Sequence, residues 1–183
     1  MDLSWVLPSL AVGARLTPAW LGHLARDLGV RRVVDLRAAA TDDSGLMRRY
    51  GIELLNLPTD DLCAIKREAL WSGVTWVRRQ LARGERALIH CEHGIGRSVL
   101  LSCCVLVSRG RSASEALELV KRVRWKASPS PEQLEALLAW SEDWCRATGE
   151  RRARVTWDEL AQIAYRHLHA GAPWVRVDGG GGA

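Results

Sequence analysis

The stretch from Ala87 to Ser108 constrains this chain more than any other. It opens with the apolar run Ala87-Leu88-Ile89-His90, crosses a loop with glycines at 94 and 96, and continues from Ser98 to Ser108 with residues that are apolar nearly all round. A short apolar run bounded by turn residues reads as a buried strand. A helix without a polar face has to be the central, fully buried one, with other layers packed around it. A buried strand that feeds a buried helix through a glycine loop is a unit of α/β architecture.

The flanking pattern agrees. Trp5 to Pro8 and Leu10 to Gly13 read as short edge strands, and Thr17-Pro18 supplies an N-cap with proline at the first helical position for a helix to about Leu28. The runs Arg32 to Leu36 and Ile52 to Leu57 read as strands. Between Arg67 and Ala82, Leu70, Val74, Val77 and Leu81 recur at three- and four-residue steps, which predicts an amphipathic helix ended by Gly84. Ser112 with Glu115, and Ser130-Pro131 with Gln133, are capping signatures for helices over 113–123 and from 131 to about 145. The order of elements predicts an α/β fold with a central, mostly parallel sheet flanked by helices. Residues 1–148 form the main domain in this reading. Residues 149–183 are an extension with a short helix near 157–169, stopped by Gly171 and Pro173, and a glycine-rich tail at 179–182.

Composition narrows the class. With 183 residues, 48% apolar and 26% charged, the chain fits one ordinary globular domain. No apolar run approaches the roughly 20 residues of a membrane span, and Met1 to Trp5 lacks the features of a secretory leader, so a cytoplasmic, membrane-free chain is expected. The five cysteines, at 63, 91, 103, 104 and 145, contain no C-x-x-C pair and fit neither a disulfide framework nor a zinc site. Cys103 and Cys104 fall on the buried helix and read as small core residues. Twenty-three of the 26 basic residues are arginine, and nine tryptophans accompany no phenylalanine, so tryptophan is expected to take phenylalanine's place in the core. The net charge of +5 suits anionic partners, but the basic pairs are scattered rather than striped, which argues against a nucleic-acid surface.

Chemistry concentrates in His90-Cys91-Glu92-His93-Gly94-Ile95-Gly96-Arg97-Ser98. A bare Cys-x5-Arg means little in so arginine-rich a chain. With the preceding histidine and both glycines required, chance falls to the order of one in ten thousand. A strand-to-helix turn of this length can aim its backbone N–H groups inward, with glycines supplying φ > 0 and close approach, and so make a cup for a phosphate dianion from residues Glu92, His93, Gly94, Ile95, Gly96 and Arg97. The helix N-terminus adds positive potential at Cys91, a nucleophile when ionised. Arg97 offers a planar fork matched to two phosphoryl oxygens, and Ser98 is placed to hydrogen-bond the Cys91 sulfur. His90 reads as an orienting group behind the loop, whereas His93 suits substrate contact and solvent equally. A proton donor is also needed, and Leu57-Pro58-Thr59-Asp60-Asp61-Leu62-Cys63 offers two aspartates on a loop expected to be mobile.

These residues resemble the cysteine-based protein tyrosine phosphatases, and the small size looks like their compact dual-specificity branch. The resemblance covers about Ser4 to Trp144, so that 1–148 would be the catalytic domain. It implies a hydrolase that forms a phosphocysteine at Cys91 without metal or cofactor, with Arg97 and Ser98 in support. The Leu-Pro-Thr-x-Asp form puts the general acid at Asp61, with Asp60 second. Val33 to Arg37 resembles the strand before a substrate-side loop, with Arg37 read as structural. Ser128 to Gln133 resembles the loop before the last core helix, with Gln133 read as a cap residue. Phosphorylated proteins or peptides are the implied partners. Glu92 and His93 stand where similar lipid phosphatases carry lysines, which disfavours a polyphosphoinositide. An RNA 5′-triphosphatase of the same fold is an alternative that Asp61 argues against. A non-catalytic phosphoprotein adaptor is another, against which the retained nucleophile stands.

Overall fold

The computed structural model describes residues Met1–His169. Five strands form one sheet: β1 (Leu3–Leu7), β2 (Leu10–Gly13), β3 (Val30–Arg37), β4 (Glu53–Thr59) and β5 (Arg86–His90), in the order β1-β2-β5-β3-β4. The β1–β2 pair is antiparallel and every other pair is parallel. Gly13 and Asp35 both lie beside His90, and Asn56 beside Asp35, so four strands deliver their C-terminal ends to one rim. In parallel sheets ligands bind at that rim.

Successive side chains of a strand point to opposite faces. Leu88 and Val33 accordingly pack on one face with α1 (Leu21–Arg26) and α2 (Ser44–Arg49), while Ala87, Ile89 and Val34 pack on the other. That second face carries α3 (Arg67–Ala82), α4 (Arg97–Val107), α5 (Ala113–Val123), α6 (Pro131–Thr148) and α7 (Trp157–His169). Every residue of α4 is buried, as its all-round apolar sequence predicts. Both predicted capping boxes form: Ser112 Oγ accepts from Glu115 N–H, and Ser130 Oγ from Gln133 N–H. Gly149 then ends α6 in the left-handed conformation at φ 72°. Trp71, Trp140 and Trp144 cluster between α3 and α6 with centroids 5.3 to 5.6 Å apart, but of these only Trp140 and Trp144 are buried. Trp20, Trp125 and Trp157 are exposed, so tryptophan takes phenylalanine's place in the core only in part.

Several expectations change. Leu10–Gly13 is an interior strand, fully buried, because the tight turn after Leu7 folds β1 outward to take the edge. The helix expected from Thr17 to Leu28 is a 3₁₀ turn at Pro18–Trp20 followed by the six residues of α1, since Thr17 makes no side-chain cap bond. Helix α2 had no readable periodicity: only Met47 is buried, and the helix starts on an Asp43 cap that accepts from Leu46 N–H. Helix α7 buries Leu160 and Ala164 in the same core as α4. The predicted stops at Gly171 and Pro173 and the tail at 179–182 lie outside the described residues. Among the described residues no helix is long and apolar enough to cross a membrane.

Leu101, fully buried in α4, should cost about 2 to 5 kcal/mol when replaced by alanine. Urea denaturation of Leu101→Ala checks this.

Candidate active site

Strand β5 ends at His90 and α4 begins at Arg97, which leaves Cys91 to Gly96 as the connecting loop at the C-terminal rim. Cys91 is buried, and its sulfur accepts from the Gly94 N–H at 3.3 Å. Ser98 Oγ lies 3.4 Å from the same sulfur. The two glycines serve different ends. Gly94 has φ 68°, and a Cβ there would meet the Gly13 carbonyl at 2.6 Å. Gly96 does not use positive φ as expected, its φ being −121°. A Cβ there would stand 2.6 Å from the Gln133 side-chain oxygen, so a larger residue displaces that buried carboxamide. No side chain caps α4, so its positive end is left to the loop.

Arg97 is 4% exposed and reaches from α4 to β4 and the loop after it. Its Nη1 donates to the Thr59 carbonyl at 2.7 Å and its Nη2 meets Asp61 Oδ1 at 2.8 Å. Its Nε is buried without a partner. Asp61 is thus carried to Arg97; Asp60 instead closes a turn, its carbonyl accepting from Cys63 N–H. The loop expected to be mobile is pinned at three successive residues by the first turn of α6. Ser130 Oγ donates to the Leu62 carbonyl at 2.6 Å, Gln133 Nε2 donates to the Cys63 carbonyl at 3.0 Å, and Glu132 Oε1 accepts from Ala64 N–H at 3.0 Å. Leu62 holds φ 64°, a left-handed turn that aims the chain into those contacts.

Behind the loop lies a buried charge network. Arg37 donates through Nε and Nη2 to the two oxygens of Asp35, both at 3.0 Å, and through Nη2 to Asp42. His90 is fully buried with Nε2 2.9 Å from Asp42 Oδ2, although the two atoms are not aligned as a hydrogen bond. Arg37 therefore braces, as read. Asp35, Asp42 and His90 are close enough together to hold a cation, but Arg37 already engages both carboxylates. Burial would push the Asp35 carboxyl up, but the Arg37 hydrogen bonds and the neighbouring His90 outweigh it and hold the group below the usual range. At the mouth, Glu92 stands 3.5 Å from Arg15 and 3.9 Å from Arg37. His93 is exposed, and with Ile95, Arg15, Trp20 and Lys126 it borders an open cleft beside the cup.

The model of the dual specificity phosphatase catalytic domain matches residues 26–143, more than half of the chain. The chain belongs to this family. It is 29% identical over 119 residues to the phosphatidylglycerophosphate phosphatase PTPMT1 of Arabidopsis thaliana, covering 63% of the chain and 35% of that protein. It is 32% identical over 92 residues to the Mus musculus phosphatidylglycerophosphatase and protein-tyrosine phosphatase 1, covering 49% of the chain and 48% of that protein. The chain thus matches between a third and a half of the length of these curated relatives. Among solved structures, the active form of Tk-PTP superposes with a TM-score of 0.72 at 30% identity, covering 77% of this chain and 97% of that one. PTPMT1 superposes at 0.74 with 24% identity, over 81% of this chain and 99% of that one, which speaks for the fold.

One contributor to this dual specificity phosphatase site escaped sequence reading, and a second was read only in part. Arg124, 3% exposed just after α5, donates from Nε to the Gly94 carbonyl and from Nη2 to the His93 carbonyl at 3.2 Å, and pairs with Asp2 at 2.9 Å. One arginine among 23 carries no local mark, and its partners are 30 and more positions away. Gln133 is the cap residue that the sequence indicated, and it also bridges Gly96 to Cys63. Cys103 and Cys104 are core residues whose thiols burial pushes up.

A carboxyl held low in the folded state stabilises above its unfolded value, near pH 4, and that stabilisation is lost as pH falls through the lower folded value. Urea unfolding from pH 7 to pH 3 should show stability dropping below about pH 4. Asp35→Asn should be less stable at pH 7 and show a shallower acid dependence.

Proposed function

We propose that this chain hydrolyses phosphomonoesters in two steps through a phosphocysteine on Cys91. The observation that carries this reading is one cup holding the Cys91 sulfur, its Gly94 and Ser98 neighbours, and an arginine paired with Asp61. Cys91 Sγ attacks phosphorus in line, the phosphorus–oxygen bond to the leaving group breaks, and Asp61 delivers its proton to the departing oxygen. The phosphoryl oxygens take over the Arg97 Nη donors that the Thr59 carbonyl and Asp61 hold in the free chain, which releases Asp61 to carry the proton it delivers. Arg97 with the loop N–H groups then holds the equatorial oxygens as charge spreads over them. Water then attacks phosphorus, Asp61 takes its proton, and the sulfur leaves with the Ser98 hydroxyl as hydrogen-bond donor. Phosphate is released and both residues are regenerated.

The substrate reading is a monophosphate carried by a protein or peptide. Glu92 supports a single phosphate, because its carboxylate stands between Arg15 and Arg37 and offsets the cations that a second phosphate needs. A monophosphorylated lipid is the second reading, favoured by the phosphatidylglycerophosphate phosphatases among the relatives.

Phosphate release from an aryl phosphate, a phosphotyrosine peptide, a phosphothreonine peptide, phosphatidylglycerophosphate and a 5′-triphosphorylated RNA, all in EDTA, tests both readings. Cys91→Ser should abolish turnover and keep vanadate binding; residual turnover near wild type overturns the nucleophile. Asp61→Ala should lower kcat on the poorest leaving groups by roughly 10²- to 10⁴-fold, with Asp60→Ala close to wild type. Faster release from the lipid than from either peptide selects the second reading.

A further inference from the structure

The segment from Arg124 to Gln133 touches both halves of the site. Toward the phosphate loop, Arg124 holds the Gly94 and His93 carbonyls, Ser128 N–H donates to the Ile95 carbonyl at 2.7 Å, and Gln133 lies on Gly96. Toward the acid loop, Ser130, Glu132 and Gln133 hold residues 62 to 64. The middle of this segment, residues 127 to 129, has its own anchors, and they come from α5 and from α7, which lies beyond the family match at residue 143.

Tyr165 of α7 donates its hydroxyl to the Pro129 carbonyl at 2.7 Å. Lys121 of α5 is 2% exposed, and its Nζ donates to the Ala127 carbonyl and to the Ala164 carbonyl of α7, both at 2.6 Å. Its third neighbour is His167 Nδ1 at 2.8 Å. An ammonium has three donors, and here all three are used with no carboxylate among the partners. Burial, with Arg166 nearby, lowers the Lys121 amine to about 8, and burial with the Lys121 charge lowers His167, which leaves a neutral imidazole to accept. A buried cation spent on two backbone carbonyls is a poor way to gain stability, because an apolar side chain avoids its desolvation cost. It does fix two main-chain segments against each other. Arg166 adds an exposed pair to Glu118 of α5 at 2.8 Å, which aligns α7 along α5.

We infer that Tyr165 and Lys121 are positioning residues, through which α7 braces the 124–133 segment and so sets the acid loop and the phosphate loop together. The inference rests on the hydrolase reading for its kinetic consequence, but not for its structural one. A helix that only covered apolar surface would need Leu160 and Ala164 and not these polar contacts.

The test compares wild type with Tyr165→Phe, which removes one hydroxyl, and with Lys121→Met, on p-nitrophenyl phosphate and on phenyl phosphate. The phenolate leaving group of the second needs a proton donor and that of the first needs it far less. Tyr165→Phe should lower kcat on phenyl phosphate about fivefold, the worth of one hydrogen bond, with a smaller change on p-nitrophenyl phosphate. In an Asp61→Ala background that difference between the two substrates should disappear. Hydrogen exchange should quicken at Ser128 and at Leu62 to Ala64 in Tyr165→Phe, while the β5 amides stay unchanged. Equal losses on both substrates that track the folded fraction, or unchanged exchange at both segments, overturn the inference. If wild type itself turns over nothing, the hydrolase reading fails separately, and the exchange rates alone decide the brace. Should Lys121→Met fail to fold, Tyr165→Phe carries the comparison.

Discussion

Complete burial of α4 is the constraint from which the rest of the structure follows. A helix with no polar face needs cover on every side, and the sheet, α3, α5 and α6 supply it. Once α4 is central and follows β5 directly, its N-terminus has to open at the C-terminal rim of the sheet. The six residues between them are then left where backbone donors and a helix end converge. The most apolar part of the chain thereby places its most polar chemistry.

Around that point the protein arranges charge in three shells of different wetness. His90, Asp35, Arg37 and Asp42 form a buried network behind the loop, in which the one guanidinium of Arg37 engages both carboxylates. Arg97 occupies the next position, buried but turned toward Asp61, whose side chain is 60% exposed. Glu92, Arg15 and His93 make the wet rim. The bracing network is buried, Cys91 and Arg97 sit nearly as deep at the floor of the cup, and Asp61, Glu92 and His93 are the groups that meet solvent. The low dielectric behind the loop strengthens the bracing pairs, whereas the rim pairs are screened and readily exchanged.

The acid loop and the phosphate loop come from different strands, and nothing adjacent in the chain holds one to the other. Arg97 makes the direct link, through the Thr59 carbonyl and Asp61, and contacts from the 124–133 segment add a second, in which the Gln133 carboxamide lies on Gly96 and donates to Cys63. A pinned acid loop differs from a lid that must close. Its position is set by contacts made within the folded chain, whereas Arg97, whose two Nη groups are held by the Thr59 carbonyl and Asp61, has to exchange partners when a phosphate enters.

Much of this was readable in the chain itself. The strand-loop-helix unit at 87–108, the capping boxes at Ser112 and Ser130, the buried cysteines of α4 and the Cys91, Arg97 and Ser98 set all depend on residues within a few positions of one another. Periodicity, caps and loop spacing are local quantities, and a sequence displays them directly. The tertiary structure alone decided the rest. Whether Leu10–Gly13 is an edge or an interior strand depends on pairing with β5, far along the chain. The Leu-Pro-Thr-x-Asp form already pointed to Asp61 over Asp60, but its contact with Arg97 is made only once the first turn of α6 holds residues 62 to 64. The Gln133 carboxamide packs on Gly96 where a Cβ would stand, and the phosphate loop owes its support to Arg124, a residue 30 positions from Gly94. Such contacts exist only after the chain has closed on itself, and no spacing rule within one segment encodes them.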